Sequence, residues 1–119
     1  MHNFKELIVW QEAMKLAKEV YLDSSLFPAT EKFGLVSQIN RSVISIPSNI
    51  AEGAGRTFDK EFSQFLSIAI GSAFELETQL LLAYDLAFIP KDKGDELLHK
   101  LAHIQKMLFS LKNKLKSKG

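Results

Sequence analysis

Glu96-Leu97-Leu98-His99 sets a carboxylate and an imidazole three residues apart, and His103 adds a second imidazole one helical turn further on. Glu-x-x-His on a helix is the spacing used by di-iron carboxylate bundles, so the chemistry to test first is metal binding. Such a centre needs the motif on two helices and further inward glutamates, whereas here it occurs once. A helical wheel also turns Glu96, His99 and His103 away from the leucines of their own segment. Glu75 and Glu77 are two apart, so on a helix they diverge and cannot share work as acid and base. There is no cysteine to act as nucleophile or thiolate ligand, and no G-x-x-x-x-G-K-[ST], G-x-G-x-x-G or G-x-S-x-G. The reading is a protein that is not an enzyme, uses no cofactor or metal and has no evident small-molecule substrate.

The remaining chemistry is electrostatic. The net charge of +1 conceals a division along the chain. Residues 1–58 carry six bases and six acids, residues 59–90 one base and five acids, and residues 91–119 eight lysines against three acids. Arg41, Arg56 and the C-terminal Lys112, Lys114 and Lys116 are therefore the candidate RNA contacts. On the wheel Lys112, Lys114, Lys116 and Lys118 point in different directions. That pattern suits a solvated last turn, complementing the negative end of a helix dipole, better than a shaped groove.

These residues must be positioned by helices. The 46% apolar and 24% charged content is that of a globular chain, and 119 residues make one domain spanning 1–119. In segment one, Leu7 to Leu22, the residues Trp10, Ala13, Met14, Ala17, Val20 and Tyr21 recur at helical steps and are expected in the core. Segment two is expected to begin after Thr30 as N-cap, with Val36, Ile39, Val43, Ile46 and Ile50 as its seam. Segment three, Phe58 to Phe88, is expected to be capped by Thr57 or Asp59. Its seam is Phe62, Leu66, Ala69, Ala73, Leu76, Leu80, Ala83 and Ala87. Segment four follows Pro90, with Asp92 or Lys93-Gly94-Asp95 as its cap region and Leu97, Leu101, Ile104, Leu108, Leu111 and Leu115 as a heptad seam. Four amphipathic segments with short connections and no strand alternation predict an all-α fold, an antiparallel up-and-down four-helix bundle. The N-terminus lacks a basic region followed by an apolar run, and no stretch approaches ~18 uncharged apolar residues. Neither secretion nor membrane insertion is expected, and the absence of cysteine suits a cytoplasmic location.

Two features go beyond an ordinary bundle. Pro47 lies inside segment two, where its missing N–H and its ring against the Val43 carbonyl cost about 3 kcal/mol. Ser45, Ser48 and Asn49 are placed to bond the freed backbone groups or a partner's backbone, and Gly53 or Gly55 to close the helix in a left-handed conformation. The face opposite the seam, Arg41, Ser45, Ser48 and Glu52 with Gln38 and Asn49 beside it, is polar yet nearly uncharged at its centre. Segment three is apolar in more than one direction: Ile70, Phe74, Leu81 and Phe88 form a second stripe, and Ile68, Leu82 and Leu86 a third. A helix this apolar around its circumference implies a partner chain. Glu77, at the edge of the second stripe, needs a partner, for which Arg41 is the expected one.

Gln38-Ile39-Asn40-Arg41, Ser45-Ile46-Pro47-Ser48-Asn49-Ile50-Ala51-Glu52-Gly53, Ala69-Ile70-Gly71-Ser72 and Glu75-Leu76-Glu77 follow one another in the chain. With Phe4-Lys5-Glu6-Leu7 through Trp10-Gln11 and Ala13, they resemble the bacterial four-helix-bundle proteins encoded in 23S ribosomal RNA intervening sequences. The resemblance implies a left-handed up-and-down bundle assembled as a homopentamer. It also implies kinship with the accessory proteins of diversity-generating retroelements, similar pentamers that bind nucleic acid and a reverse transcriptase. Asn40 and Ser42 depart from the family pattern, standing in place of a second basic residue and an alanine. The expected function is a cytoplasmic, non-enzymatic, homo-oligomeric scaffold acting through nucleic-acid or protein partners. Gln38, Arg41, Ser45, Pro47, Asn49, Glu52, Gly53, Glu75, Glu77, Leu82 and Leu86 are its motif and subunit-interface residues. The alternative is direct RNA binding through Arg41, Arg56 and the C-terminal lysines.

Overall fold

The computed structural model describes residues 1–118, with side chains as far as Lys116. Four helices follow in order: α1 (Ile8–Ser24), α2 (Leu35–Ala54), α3 (Asp59–Asp85) and α4 (Lys91–Lys118). A 3-10 turn at Phe4–Glu6 precedes α1, and another at Ala29–Glu31 lies between α1 and α2. Each helix packs on its neighbours in the chain and α1 closes against α4, giving a four-helix body of 46 × 23 × 20 Å. The seams expected for α2, α3 and α4 supply most of the core. Ile39, Val43, Ile46, Ile50, Phe62, Leu66, Ala69, Ala73, Leu76, Leu97, Leu101, Ile104 and Leu108 are all essentially inaccessible to water. Burying each of the larger of these is worth roughly 1.5–3 kcal/mol before conformational entropy is set against it.

The expected face of α1 is rotated from the observed one. Its core residues are Val9, Ala13, Leu16, Ala17 and Val20, while Met14 and Tyr21 are more than 40% exposed. The apolar stripe of α1 is broad enough to be drawn in two registers, and the one with small Ala13 and Ala17 at its centre lets α1 approach its neighbours closely. Trp10 is half-buried, its ring edge-on to Phe4 at 5.1 Å.

The helix ends also differ from expectation. Thr30 does not cap α2; it belongs to the second 3-10 turn, and α2 starts five residues later at Leu35, behind Gly34. Phe58 occupies the N-cap of α3 with no side-chain cap, so neither Thr57 nor Asp59 does so. Asp59 and Glu61 instead place negative charge in the first turn, where the helix dipole favours it. His2 Nε2 lies 3.2 Å from Asp59 Oδ1 and the His2 N–H donates to the Ala54 carbonyl at 2.7 Å, which ties the N-terminus across the α2–α3 junction. Among the described residues no glycine has a positive φ: α2 continues through Gly53 and ends at Ala54 with Gly55 as C-cap.

The left-handed residue is Ala87, at φ 60°. The Phe88 N–H donates to the Ala83 carbonyl at 2.9 Å and the Ala87 N–H to that of Tyr84 at 3.1 Å, the two bonds of a Schellman cap. Ala87 therefore lies beyond the α3 seam and is exposed. A Cβ in this conformation costs about 1–2 kcal/mol, partly offset by the greater freedom glycine has in the unfolded chain. Ala87→Gly is expected to stabilise the fold by about 0.5–1 kcal/mol in urea denaturation. A less stable variant would contradict this account of the cap.

By length and composition α3 is apolar enough to cross a membrane, although no unbroken uncharged run of that length occurs in the sequence. In the bundle it is the helix between α2 and α4, and one face of it is the core.

Candidate interaction face on helices two and three

The polar face of α2 meets α3 through a ladder of side-chain hydrogen bonds. Ser42, fully buried, donates from Oγ to Glu75 Oε1 at 2.8 Å. One turn along, the Ser45 and Ser72 hydroxyls are 2.8 Å apart. Asn49 Nδ2 donates to the Ser45 carbonyl at 2.8 Å and to Ser45 Oγ at 3.0 Å. The Ser42–Glu75 and Ser45–Ser72 contacts set the register of two antiparallel helices, because sliding one past the other would leave the buried Ser42 hydroxyl unpaired. They also account for the lack of charge at the centre of the face, where small side chains reach across the groove between the helices. Ser42 is thus a working member of the ladder. Pro47 is buried among the α2 core residues. Asn49 bonds to the Ser45 carbonyl, two residues along α2 from the Val43 carbonyl that Pro47 leaves without an N–H.

Gly53 is fixed by space and not by backbone conformation. A Cβ built on it would lie 2.7 Å from Phe65 Cβ and 2.9 Å from Phe62 Cδ1, so α2 and α3 approach here more closely than any side chain allows.

Glu75 and Glu77 diverge as expected, but the partner of Glu77 differs from the one expected and Arg41 pairs with Glu75 instead. Arg41 lies 3.5 Å from Glu75 Oε2 and also reaches Gln38 Oε1 at 3.4 Å. Glu77 faces α4, where Gln105 Nε2 donates to its Oε1 at 2.8 Å. The helix wheel alone does not tell which neighbour lies on which side of α3. Glu52 pairs with Arg56 at 3.1 Å, and the Arg56 guanidinium sits 4.8 Å from the centre of the Phe65 ring.

Beside the ladder, Ile68, Leu82 and Leu86 are each 51% exposed, and Phe74 and Leu81 only a little less. In the second apolar stripe only Ile70 is buried in the core; Phe88 is half-buried. The apolar excess of α3 is thus real surface on a single chain, presented by the helix whose other side forms the core.

The candidate RNA contacts do not gather. Arg41 lies in the first half of α2 and Arg56 beyond its C-terminal end, and both have acidic partners. Lys114 and Lys116 are exposed and Lys112 is half-buried at the last turns of α4; the side chain of Lys118 lies outside the described residues. Glu96, His99 and His103 are exposed, and among the described residues no three His, Cys, Asp or Glu side chains come together as a metal site.

A charge network between α1 and α4 was not legible in the sequence beyond its Glu96/Lys100 spacing. Lys100 Nζ donates to Glu19 Oε1 at 2.6 Å and to Glu96 Oε1 at 2.9 Å. Lys93 Nζ stands 3.5–3.8 Å from Glu96, Asp23 and Glu19. The hydrogen bond from Lys100 holds the Glu96 carboxyl below its ordinary range. The bond to Glu19, then that to Glu96, raises Lys100. A depressed acid stabilises the fold above its unfolded pKa and loses that effect as pH falls through the folded one; a raised lysine does so below its unfolded pKa and loses it as pH rises through the folded one. The network is therefore fully formed between those limits. Lys100→Met is expected to flatten the acid side of a melting-temperature profile taken from neutral pH down through the carboxylate range. An unchanged acid limb would show that Glu96 gains nothing from Lys100.

No curated protein matches the chain. Among solved structures, a protein of unknown function from the S23 ribosomal protein family of Bacteroides thetaiotaomicron VPI-5482 is similar at a TM-score of 0.79 and 28% identity. The match covers 87% of this chain and 97% of that one. The family described as 23S rRNA-intervening sequence protein matches over residues 5–110, which takes in all of α1, α2 and α3 and most of α4. With its four-helix bundle and a family match over residues 5–110, the chain is a member of the 23S rRNA-intervening sequence protein family.

Proposed function

We propose that the protein is a cytoplasmic homo-oligomeric scaffold whose copies meet through the polar face of α2 and the outer face of α3, and which presents the assembled surface to a nucleic acid or a nucleic-acid-processing protein. The observation that carries this reading is the half-exposure of Ile68, Leu82 and Leu86 on a helix whose opposite side is already core. Isolated apolar side chains on a surface are ordinary, but several on one helix mark a contact surface. The five-fold assembly is supported by resemblance to the family. Direct RNA binding has less support, since Arg41 and Arg56 are held by Glu75 and Glu52. The two readings separate in size-exclusion chromatography with and without RNA at low and high salt. The scaffold reading expects a multimer that persists at low and at high salt, with RNA or without it. A complex that forms with RNA at low salt, is lost at high salt and disappears when Lys112, Lys114 and Lys116 are replaced would transfer the function to RNA binding.

A further inference from the structure

On the side of α3 that meets α4, Phe74 and Phe109 are 47% and 44% exposed with their ring centres 6.4 Å apart, and the largely buried Ile70 precedes Phe74 by one turn. Gln105, one turn before Phe109, donates to Glu77, on the next turn after Phe74, so the two helices are held side by side here. The charge around the aromatic pair is one-sided. From Phe62 to Phe74 α3 carries no charged residue, and α4 has no acid after Glu96. Lys106, Lys112 and Lys116 follow helical steps from Phe109 and so stand on its side of α4, and Lys60 marks the same end of the bundle on α3. None of these four lysines makes an ion pair among the described residues, whereas Arg41, Arg56, Lys93 and Lys100 are all held by carboxylates.

Gly71 is the second sign of an occupant. It is exposed in the middle of α3, three residues before Phe74, and a Cβ built on it would meet nothing within 4 Å. Glycine inside a helix costs stability relative to alanine, and at Gly53 the close approach of Phe65 explains it. At Gly71 no packing within the chain does so, and the space is open to atoms from outside.

Resting on the reading that the protein presents a surface to a client, we propose that the α3–α4 face receives an acidic amphipathic helix of a partner protein. Its apolar stripe lies on Phe74 and Phe109, its backbone comes close over Gly71, and its carboxylates meet Lys106, Lys112 and Lys116. Two helices side by side form a groove that a third fills with side chains at three- and four-residue steps. A single-stranded nucleic acid fits this face less well: the two rings lean on each other at 57°, so neither offers the open face on which a base stacks. The contact between copies is left free. Ile68 and Leu82 stand seven residues either side of Glu75, whose partner is Arg41, and therefore lie toward α2.

The test uses a fluorescein-labelled synthetic peptide of about five helical turns, with leucine at three- and four-residue steps and glutamate between, read by fluorescence anisotropy against the full chain. A peptide of the same composition with its leucines spread around the helix is the control, and single-stranded RNA and phosphatidylserine vesicles are the competitors. The wild type is expected to bind the amphipathic peptide, not the control, and to keep it in the presence of either competitor. Lys106→Glu/Lys116→Glu is expected to weaken binding by about tenfold or more. Gly71→Leu is expected to abolish it while unfolding in urea no earlier than the wild type. Lys32→Glu, in the connection between α1 and α2, leaves the affinity unchanged. A wild type that does not bind the peptide, or variants that bind it alike, would overturn the proposal. Displacement by RNA or by vesicles would overturn it too and give the face to that competitor. A Gly71→Leu variant reduced to the mass of one chain would assign the glycine to the contact between copies, with the same result. Light scattering on the same samples keeps the two readings apart: a multimer that ignores the peptide loses only this docking surface, and a single chain that binds it loses only the scaffold.

Discussion

Gly53→Leu is expected to lower the free energy of unfolding by about 3 kcal/mol or more, toward the upper limit for overpacking a close-packed interior. Of the three atoms that a Cβ at this position would meet, one is Phe65 Cβ and one the Phe62 carbonyl oxygen, at 2.7 and 3.3 Å, and neither can swing aside. The third, Phe62 Cδ1, belongs to a ring that is 1% exposed and packed on all sides. α2 and α3 would have to separate, and the nearby Asn49, Ser45 and Ser72 bonds share that strain. Gly53→Ala should cost less, because the gain in helix propensity, about 1 kcal/mol, offsets part of the clash. Urea denaturation of both variants measures the difference. If Gly53→Leu were as stable as the wild type, the close approach of the two helices would be wrong.

The division between what the sequence disclosed and what it withheld follows from the physics of each element. The seams of α2, α3 and α4 were legible because long runs with three- and four-residue steps have one solution. The buried face of α1 differs from the expected one by part of a turn because Met14 and Tyr21 fall at helical steps as readily as Val9 and Leu16, and only packing against α2 and α4 selects among them. The polar residues Ser45, Asn49 and Glu75 were legible as unusual, but their bonds were not, since each partner lies on another helix or another turn. Gly53 was noticed for the wrong reason: from the sequence a glycine near a helix end suggests a left-handed cap, and the structure uses its missing side chain instead. The actual left-handed residue, Ala87, gave no signal, because alanine is the residue least expected there. The Lys93 and Lys100 network needed the pairing of α1 with α4 before it could be seen.

The second large effect concerns assembly. Leu82→Glu/Leu86→Glu is expected to dissociate the homo-oligomer while leaving helicity largely intact. Both leucines are half exposed, so in a single chain the double change is a surface substitution worth within about 1 kcal/mol. In an assembly the same positions are covered, and two carboxylates without partners there cost several kcal/mol, roughly a hundredfold or more in association. The contrast between an unchanged fold and a lost assembly is the expected signature. Circular dichroism and light scattering on the same sample would read both. A variant that unfolded would mean the stripe supports the bundle itself, and one that kept its native mass would mean the outer face of α3 is not an interface.

The measurement that bears most directly on the scaffold reading is the mass of the unmodified protein in solution, by light scattering during size-exclusion chromatography at low and at high salt. An apolar contact predicts a discrete multimer, five chains by family resemblance, whose mass is unchanged by salt because burial of leucine and aromatic surface is not screened. A mass of one chain under both conditions would contradict the account, and the half-exposed leucines of α3 would then be ordinary surface.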